Sequence, residues 1–101
     1  MIIGVPKEIK NHEYRVGLTP RSVKELVRNS HKVIVQTNAG NGIGASDDEY
    51  IDNGAEIMAT AEEVFETAEM IIKVKEPQAN ERAMLRAVSY THLTLPTILL
   101  V

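Results

Sequence analysis

The sequence predicts an α/β domain with a parallel sheet, and two observations lead to this fold class. Three short runs rich in valine and isoleucine are typical of strands, and helix-start signatures stand between them. Where strands and helices alternate, each helix returns the chain to the same end of the sheet, so neighbouring strands run parallel. At 101 residues the chain has room for one small domain or for part of a larger one.

The predicted strands are apolar runs bounded by polar or turn-forming residues. They are residues 2–5, 32–36 and 70–74. Pro6 ends the first run, because proline has no amide hydrogen for the interior of a sheet. A glycine-rich loop follows the second run, and Glu76 and Pro77 come soon after the third.

Each predicted helix begins at a residue whose hydroxyl can cap the first turn. The signatures are Thr19 with Pro20, Ser46 with Glu49, and Thr60 with Glu63. A hydroxyl at the N-cap accepts a hydrogen bond from an amide of the first turn, and proline suits the first helical position. Glutamate three residues after the cap completes a capping box. A further helix is predicted over residues 81–86.

Composition excludes several classes of function. The formal net charge of -3 and the pI near 5.6 argue against a nucleic acid or an anionic membrane surface as partner. Without cysteine the chain has neither disulfides nor a thiol nucleophile, and the spacing of its histidines gives no metal site. The sequence shows no signal peptide and no apolar run long enough to span a membrane, so we expect a cytoplasmic protein.

The loop GNGIGA, residues 40–45, fits the G-x-G-x-x-A pattern that binds dinucleotides. The helix that follows it begins with Asp47, Asp48 and Glu49, whose charges would repel a phosphate at the helix N-terminus. We therefore interpret the loop as a strand-to-helix connection that needs glycine for its turns, and we predict no cofactor-binding residue in it.

Arg15 and Lys75 are the candidate ligand-binding residues. Arg15 lies in the loop after the first strand, and Lys75 directly follows the third. Ligands of open α/β sheets bind beyond the carboxyl ends of the strands, so the two cations would converge if these strands are neighbours. An arginine fork with a lysine charge suits a small carboxylate or 2-oxo acid. The alternative is that both side chains are solvated surface charges.

The last residues do not continue the alternation of predicted strands and helices. The stretch AVSYTHLTLPTILLV, residues 87–101, has no charged side chain and neither helical nor strand periodicity. It has the character of a sequencing or vector artefact, and the alternative is an irregular edge strand that contains Pro96. His92 lies in this tail and would be a plausible acid or base, because imidazole titrates near neutrality. His12 and His31 are expected at the surface.

Four stretches of the chain resemble the N-terminal domain of bacterial alanine dehydrogenase. They are MIIGVPKEIKNHEYRVGLTP, NAGNGIGASDDEY, GAEI and MIIKVKEPQ, in the family's order and spacing. The alpha subunit of pyridine nucleotide transhydrogenase shares the GVPKE start, but NHEYRVGLTP and VKEPQ favour the dehydrogenase. The resemblance covers residues 1–86 and implies part of a doubly wound parallel-sheet substrate domain, with residues 87–101 as a non-family tail.

The resemblance also implies an activity and a set of site residues. The family converts L-alanine, NAD and water reversibly to pyruvate, ammonia and NADH, as part of L-alanine catabolism. Its substrate-binding arginine and lysine fall on Arg15 and Lys75. NAD would be bound by a separate domain that this sequence lacks, so the chain is expected to be a fragment that is inactive alone. The full-length parent would be a homo-hexamer.

The family's acid/base histidine belongs to a Tyr-Leu-His-Leu segment. This chain has Tyr-Thr-His-Leu around His92, about four residues too early. At that spacing we expect the imidazole of His92 to be displaced from hydrogen-bond reach of the substrate. Two other functions stay open at this point. The chain could be the N-terminal part of a transhydrogenase alpha subunit, or a stand-alone module that binds a 2-oxo acid without catalysis.

Overall fold

In a computed structural model, the described part of the chain forms a five-stranded parallel sheet with helices on both faces. The structure describes residues 1–9, 15–74, 81, 83 and 97–100. Within them the strands are β1 (Ile2–Val5), β2 (Lys32–Gln36), β3 (Glu56–Met58), β4 (Met70–Lys73) and β5 (Thr97–Leu100). Their order across the sheet is β3-β2-β1-β4-β5, and every pairing is parallel. The predicted α/β class is confirmed.

The described helices begin where the capping signatures predict. They are α1 (Pro20–Arg28), α2 (Asp47–Asp52) and α3 (Ala61–Thr67). The hydroxyls of their N-cap residues accept amide hydrogen bonds at 3.2 to 3.3 Å, from Ser22, Glu49 and Glu63 respectively. These bonds satisfy amide groups that the first helical turn leaves without an intrahelical partner. None of the helices in the described part of the chain is long and apolar enough to cross a membrane.

Successive side chains along each strand point to opposite faces of the sheet, so the core consists of two clusters, one on each face. Val33 and Val35 of β2 belong to one buried cluster, which includes Val23 of α1 and Tyr50 of α2. Ile34 points to the other face, where the second cluster comprises Ile34, Val64, Phe65, Ala68 and Ile71. Because successive strand residues face opposite ways, a parallel sheet covered on both sides is apolar throughout. The doubly wound arrangement is therefore confirmed.

Three details differ from the sequence expectation or extend it. Strand β3 was not predicted, and it exists as a short edge strand that pairs with β2 from Ile34 to Gln36. The strand predicted over residues 70–74 ends one residue earlier, at Lys73. Of the helix predicted over residues 81–86, Glu81 and Ala83 are helical and the others lie outside the described residues.

Part of the tail forms the other edge of the sheet. Strand β5 pairs in parallel with all four residues of β4, and Ile98 packs against the second cluster. Leu99 and Leu100 are about half exposed. These residues thus form an edge strand that follows Pro96 in the sequence. The division of the chain at residue 86, and the artefactual origin of the tail, stay predictions.

Candidate functional site

A cleft opens at the carboxyl edge of the sheet, beyond the ends of β1 and β2. It has a volume of about 350 Å³, at the small end of the range for ligand sites. Its described lining residues are Lys7, Glu8, Arg15, Asn38, Ala39, Asn41 and Gly42. Lys7 and Glu8 follow β1, and the last four follow β2, so the cleft lies where open α/β sheets bind their ligands.

Arg15 projects from a short segment that is anchored to the body of the domain. The side chain of Arg15 is exposed, whereas its neighbour Val16 is 8% exposed and belongs to the first core cluster. The burial of Val16 fixes the backbone from which the guanidinium extends. A planar guanidinium held in this way can present two parallel N–H donors to a carboxylate.

Gly17 allows the same segment to lie directly against β4. A Cβ at Gly17 would lie 2.4 Å from the carbonyl oxygen of Ile72, well inside van der Waals contact. Any larger residue would have to lift the segment away from the strand. The glycine two residues after Arg15 therefore sets how closely the arginine approaches the edge of the sheet.

Tyr50 provides a third anchor for the segment. Its side chain is completely buried beneath α2, and its hydroxyl donates a 2.7 Å hydrogen bond to the carbonyl oxygen of Leu18. Burial raises the pKa of Tyr50 to about 12, with smaller contributions from the carboxylates of Glu49 and Asp47. At neutral pH the hydroxyl is thus protonated and remains a hydrogen-bond donor.

The loop after β1 is tied to the strands on both of its sides. On one side the amide of Lys7 donates a 2.8 Å hydrogen bond to the Gln36 side chain, at the end of β2. On the other side Glu8 receives the amide of Val74 at 3.2 Å and the ammonium of Lys73 at 3.3 Å. The wall of the cleft formed by Lys7 and Glu8 is therefore held from two directions.

Lys73 lies between two buried carboxylates. Its Nζ atom is 3.3 Å from Glu8 and 2.8 Å from Glu81, and all three side chains are at most 2% exposed. Buried charges in proteins are normally paired in this way, because an unpaired one loses its hydration without compensation. This cluster was not among the residues predicted from the sequence. The available signal was a lysine inside the apolar strand sequence MIIKV, where a strand buried on both faces should have no charge.

The glycine loop has a structural role that accounts for its sequence. Residues Asn41–Ile43 form a turn of 3-10 helix, and Gly44 has a φ of 76°, which glycine adopts without strain. Asp47 occupies the N-terminal end of α2, where it accepts hydrogen bonds from the Thr37 hydroxyl at 2.5 Å and the Asn38 amide at 2.9 Å. The Asp47 carboxylate thus ties the start of α2 to the residues after β2, and its negative charge there disfavours a dinucleotide phosphate.

The predicted site residues have different outcomes. Arg15 lines the cleft, and β1 and β4, the strands that precede Arg15 and Lys75, are neighbours in the sheet. Lys75, His92 and His12 lie outside the described residues, so their assignments stay predictions. His31 is partly buried just before β2, and it is not among the described residues that line the cleft.

Positively charged side chains and asparagine amides line the cleft. Arg15 and Lys7 are both exposed cations on its lining, and Asn38 and Asn41 add amide groups. Both oxygens of Glu8 are already engaged by Lys73 and Val74, so its charge is partly compensated. Such a lining suits a small anion that carries further hydrogen-bond acceptors.

Comparison with known proteins gives consistent matches. The family model for the alanine dehydrogenase/PNT N-terminal domain matches residues 4–98. Over 97 residues the chain is 53% identical to alanine dehydrogenase of Methanococcus maripaludis and 50% identical to that of Bacillus subtilis. Each alignment covers 94% of this chain but only 26% and 25% of the relative, so the chain spans about a quarter of their length.

Solved structures agree with these relatives. An L-alanine dehydrogenase structure superposes with a TM-score of 0.81 at 48% identity, and a transhydrogenase from Sinorhizobium meliloti with 0.77 at 36% identity. Both superpositions cover 83% of this chain, and they cover 23% and 24% of the respective structures. From the family match, the sequence identities and the shared fold, the chain belongs to the alanine dehydrogenase/PNT N-terminal domain family.

Proposed function

We propose that this chain is the substrate-binding part of an NAD-dependent alanine dehydrogenase. In the proposed reaction L-alanine, NAD and water give pyruvate, ammonia and NADH. Arg15 would bind the carboxylate of alanine or pyruvate through two N–H groups, and Lys75 would bind the carboxylate and the oxo group. The observation that carries the proposal is the anchored position of Arg15 in a cleft at the carboxyl edge of the sheet.

The comparisons support the dehydrogenase over its alternatives. The relatives that match at about half identity are alanine dehydrogenases, whereas the transhydrogenase structure is 36% identical. The cleft, with a volume of about 350 Å³, has room for a small acid such as pyruvate.

The glycine loop is not proposed as an NAD site, because the Asp47 carboxylate beside it would repel a phosphate at the start of α2. The proposal therefore gives this chain the recognition of the acid and assigns no step of hydride transfer to it. His92 remains proposed as a catalytic acid or base. A cytoplasmic homo-hexamer is proposed for the whole enzyme, and light scattering of that enzyme would test the assembly.

Calorimetric titration of the chain with pyruvate tests the recognition step. Arg15→Lys retains the positive charge but loses the planar fork, so we expect pyruvate affinity to fall by about tenfold to a hundredfold. Arg21→Lys is the matched control, because Arg21 lies on α1 outside the cleft lining and should leave the affinity within about twofold. Equal effects of the two substitutions would contradict the role of Arg15.

A hybrid enzyme tests the reaction. Residues 1–86 of this chain would replace the matching segment of the Bacillus subtilis relative, and alanine-dependent NADH formation would be measured. An active hybrid together with pyruvate binding by the chain supports the dehydrogenase. Pyruvate binding with an inactive, folded hybrid would instead favour a non-catalytic binding module. Absence of pyruvate binding by the chain, together with an inactive, folded hybrid, would count against both and favour the transhydrogenase assignment.

A further inference from the structure

Glu8 links the loop after β1 to the end of β4, and this loop forms one wall of the cleft. Its two carboxylate oxygens contact different groups, Lys73 Nζ at 3.3 Å and the Val74 amide at 3.2 Å. We propose that Glu8 is a positioning residue that holds the wall of the acid-binding cleft in its binding geometry. The inference rests on the proposed function, since it concerns the affinity of the same cleft for a small carboxylate.

The contacts of Glu8 argue against direct ligand binding by its carboxylate. The side chain is 2% exposed, and both oxygens are used by protein donors. A ligand that took one of these oxygens would leave Lys73 or the Val74 amide with a weaker set of contacts in a buried site. Glu8 therefore acts through the backbone that it fixes, because its neighbour Lys7 lines the same cleft.

Glu81 offers a natural comparison within the same cluster. It is buried to the same degree as Glu8 and contacts the same ammonium, at 2.8 Å. Among the described residues that line the cleft, however, Glu8 is present and Glu81 is not. Glu8 also accepts the Val74 amide hydrogen bond. Replacing either carboxylate by its amide removes one negative charge and leaves Lys73 with one carboxylate partner.

Because the two substitutions remove the same charge from the same ammonium, comparing Glu8→Gln with Glu81→Gln distinguishes a positioning effect on affinity from an effect of charge or of stability. Loss of a negative charge near the cleft should strengthen the binding of an anion, and it should do so in both variants. Loss of stability alone should lower both unfolding midpoints and leave the affinity of the folded protein unchanged. If Glu8 positions the wall, Glu8→Gln weakens binding although it removes a negative charge, and Glu81→Gln does not weaken it.

The experiment is a calorimetric titration of the 101-residue chain with pyruvate, performed well below the unfolding midpoint of each variant. We expect Glu8→Gln to raise the dissociation constant by about tenfold to a hundredfold, and Glu81→Gln to leave it unchanged or lower it. Glu8→Asp is measured alongside, because it keeps the charge but withdraws the carboxylate by one methylene. We expect it to weaken binding similarly.

The outcomes separate the inference from the proposed function. If the unaltered chain does not bind pyruvate, the proposed function fails. If it binds and Glu8→Gln and Glu81→Gln change the affinity alike, the positioning role is overturned while the proposed function stands. If Glu8→Gln does not fold, Glu8→Asp decides the matter, and an affinity equal to that of the unaltered chain would overturn the role.

Discussion

Replacing Tyr50 by phenylalanine tests how the segment that carries Arg15 is held. The substitution removes the 2.7 Å hydrogen bond to Leu18 and leaves that carbonyl oxygen without this donor in a region where the tyrosine is completely buried. We expect the free energy of unfolding at pH 8 to fall by about 0.5–1.5 kcal/mol, the net contribution of a typical intramolecular hydrogen bond, since the Leu18 carbonyl is only partly buried. The ring itself stays in place, so no large cavity forms.

The raised pKa of Tyr50 adds a pH dependence whose sign is opposite to that of a paired carboxylate. The phenol titrates near pH 10 when the chain is unfolded and near pH 12 when it is folded. The native state thus favours the neutral phenol, and this stabilisation is intact below pH 10 and is lost as the pH rises from 10 to 12. At pH 11 the loss amounts to about 1.4 kcal/mol for a shift of this size.

Urea denaturation of both proteins at pH 8 and pH 11, followed by circular dichroism, measures this effect. The phenylalanine variant has no phenol at position 50, so the stability gap between the two proteins should shrink by about 1.4 kcal/mol at pH 11. The other titrating groups are common to both proteins and cancel in the comparison. A gap of the same size at the two pH values would refute the claim that Tyr50 is buried as a neutral donor.

Three further substitutions test other parts of the fold. Gly17→Ala places a Cβ 2.4 Å from a carbonyl oxygen of β4. We expect the free energy of unfolding, measured by urea denaturation, to fall by about 1–3 kcal/mol, and pyruvate binding to weaken. An unchanged stability would contradict the close packing. Phe65→Ala leaves a cavity at a fully buried position of α3, so the free energy of unfolding should fall by about 3–5 kcal/mol in the same assay. A decrease of less than about 1 kcal/mol would contradict the burial of Phe65. Asp47→Asn should lower stability by about 1–3 kcal/mol without creating NAD binding, and calorimetric detection of NAD binding would contradict the structural role of the loop.

Local signals in the sequence were sufficient to predict most of the elements. Thr19, Ser46 and Thr60 each cap a helix, because capping depends on residues within one turn of each other. Strand β3 has no comparable signal. It is three residues long, its Glu56 is exposed, and it is defined by its pairing with β2, a partner about twenty residues away. Short edge strands of this kind depend on tertiary contacts.

Only the part of the candidate site that has a local sequence signal could be predicted. Arg15 could be identified because the loop after a strand in an α/β sheet has a known relation to the ligand-binding edge. The pairing of Lys73 with Glu8 and Glu81 could not be read from spacing, since Glu8 is 65 residues from Lys73 in the sequence. Charged residues are usually exposed, and only the folded sheet brings these three together in a buried position.

Locating bound pyruvate on the protein would test the proposed binding site most directly. A titration of the isotopically labelled chain with pyruvate would be followed by amide and arginine side-chain NMR shifts. If the cleft binds pyruvate as proposed, the changes will centre on Arg15, Lys7 and Glu8 and on the segment from Asn38 to Gly42. Changes centred on the groove between α1 and α2, lined by Thr19, Lys24 and Asn53, or no changes at all, would contradict the proposed binding site.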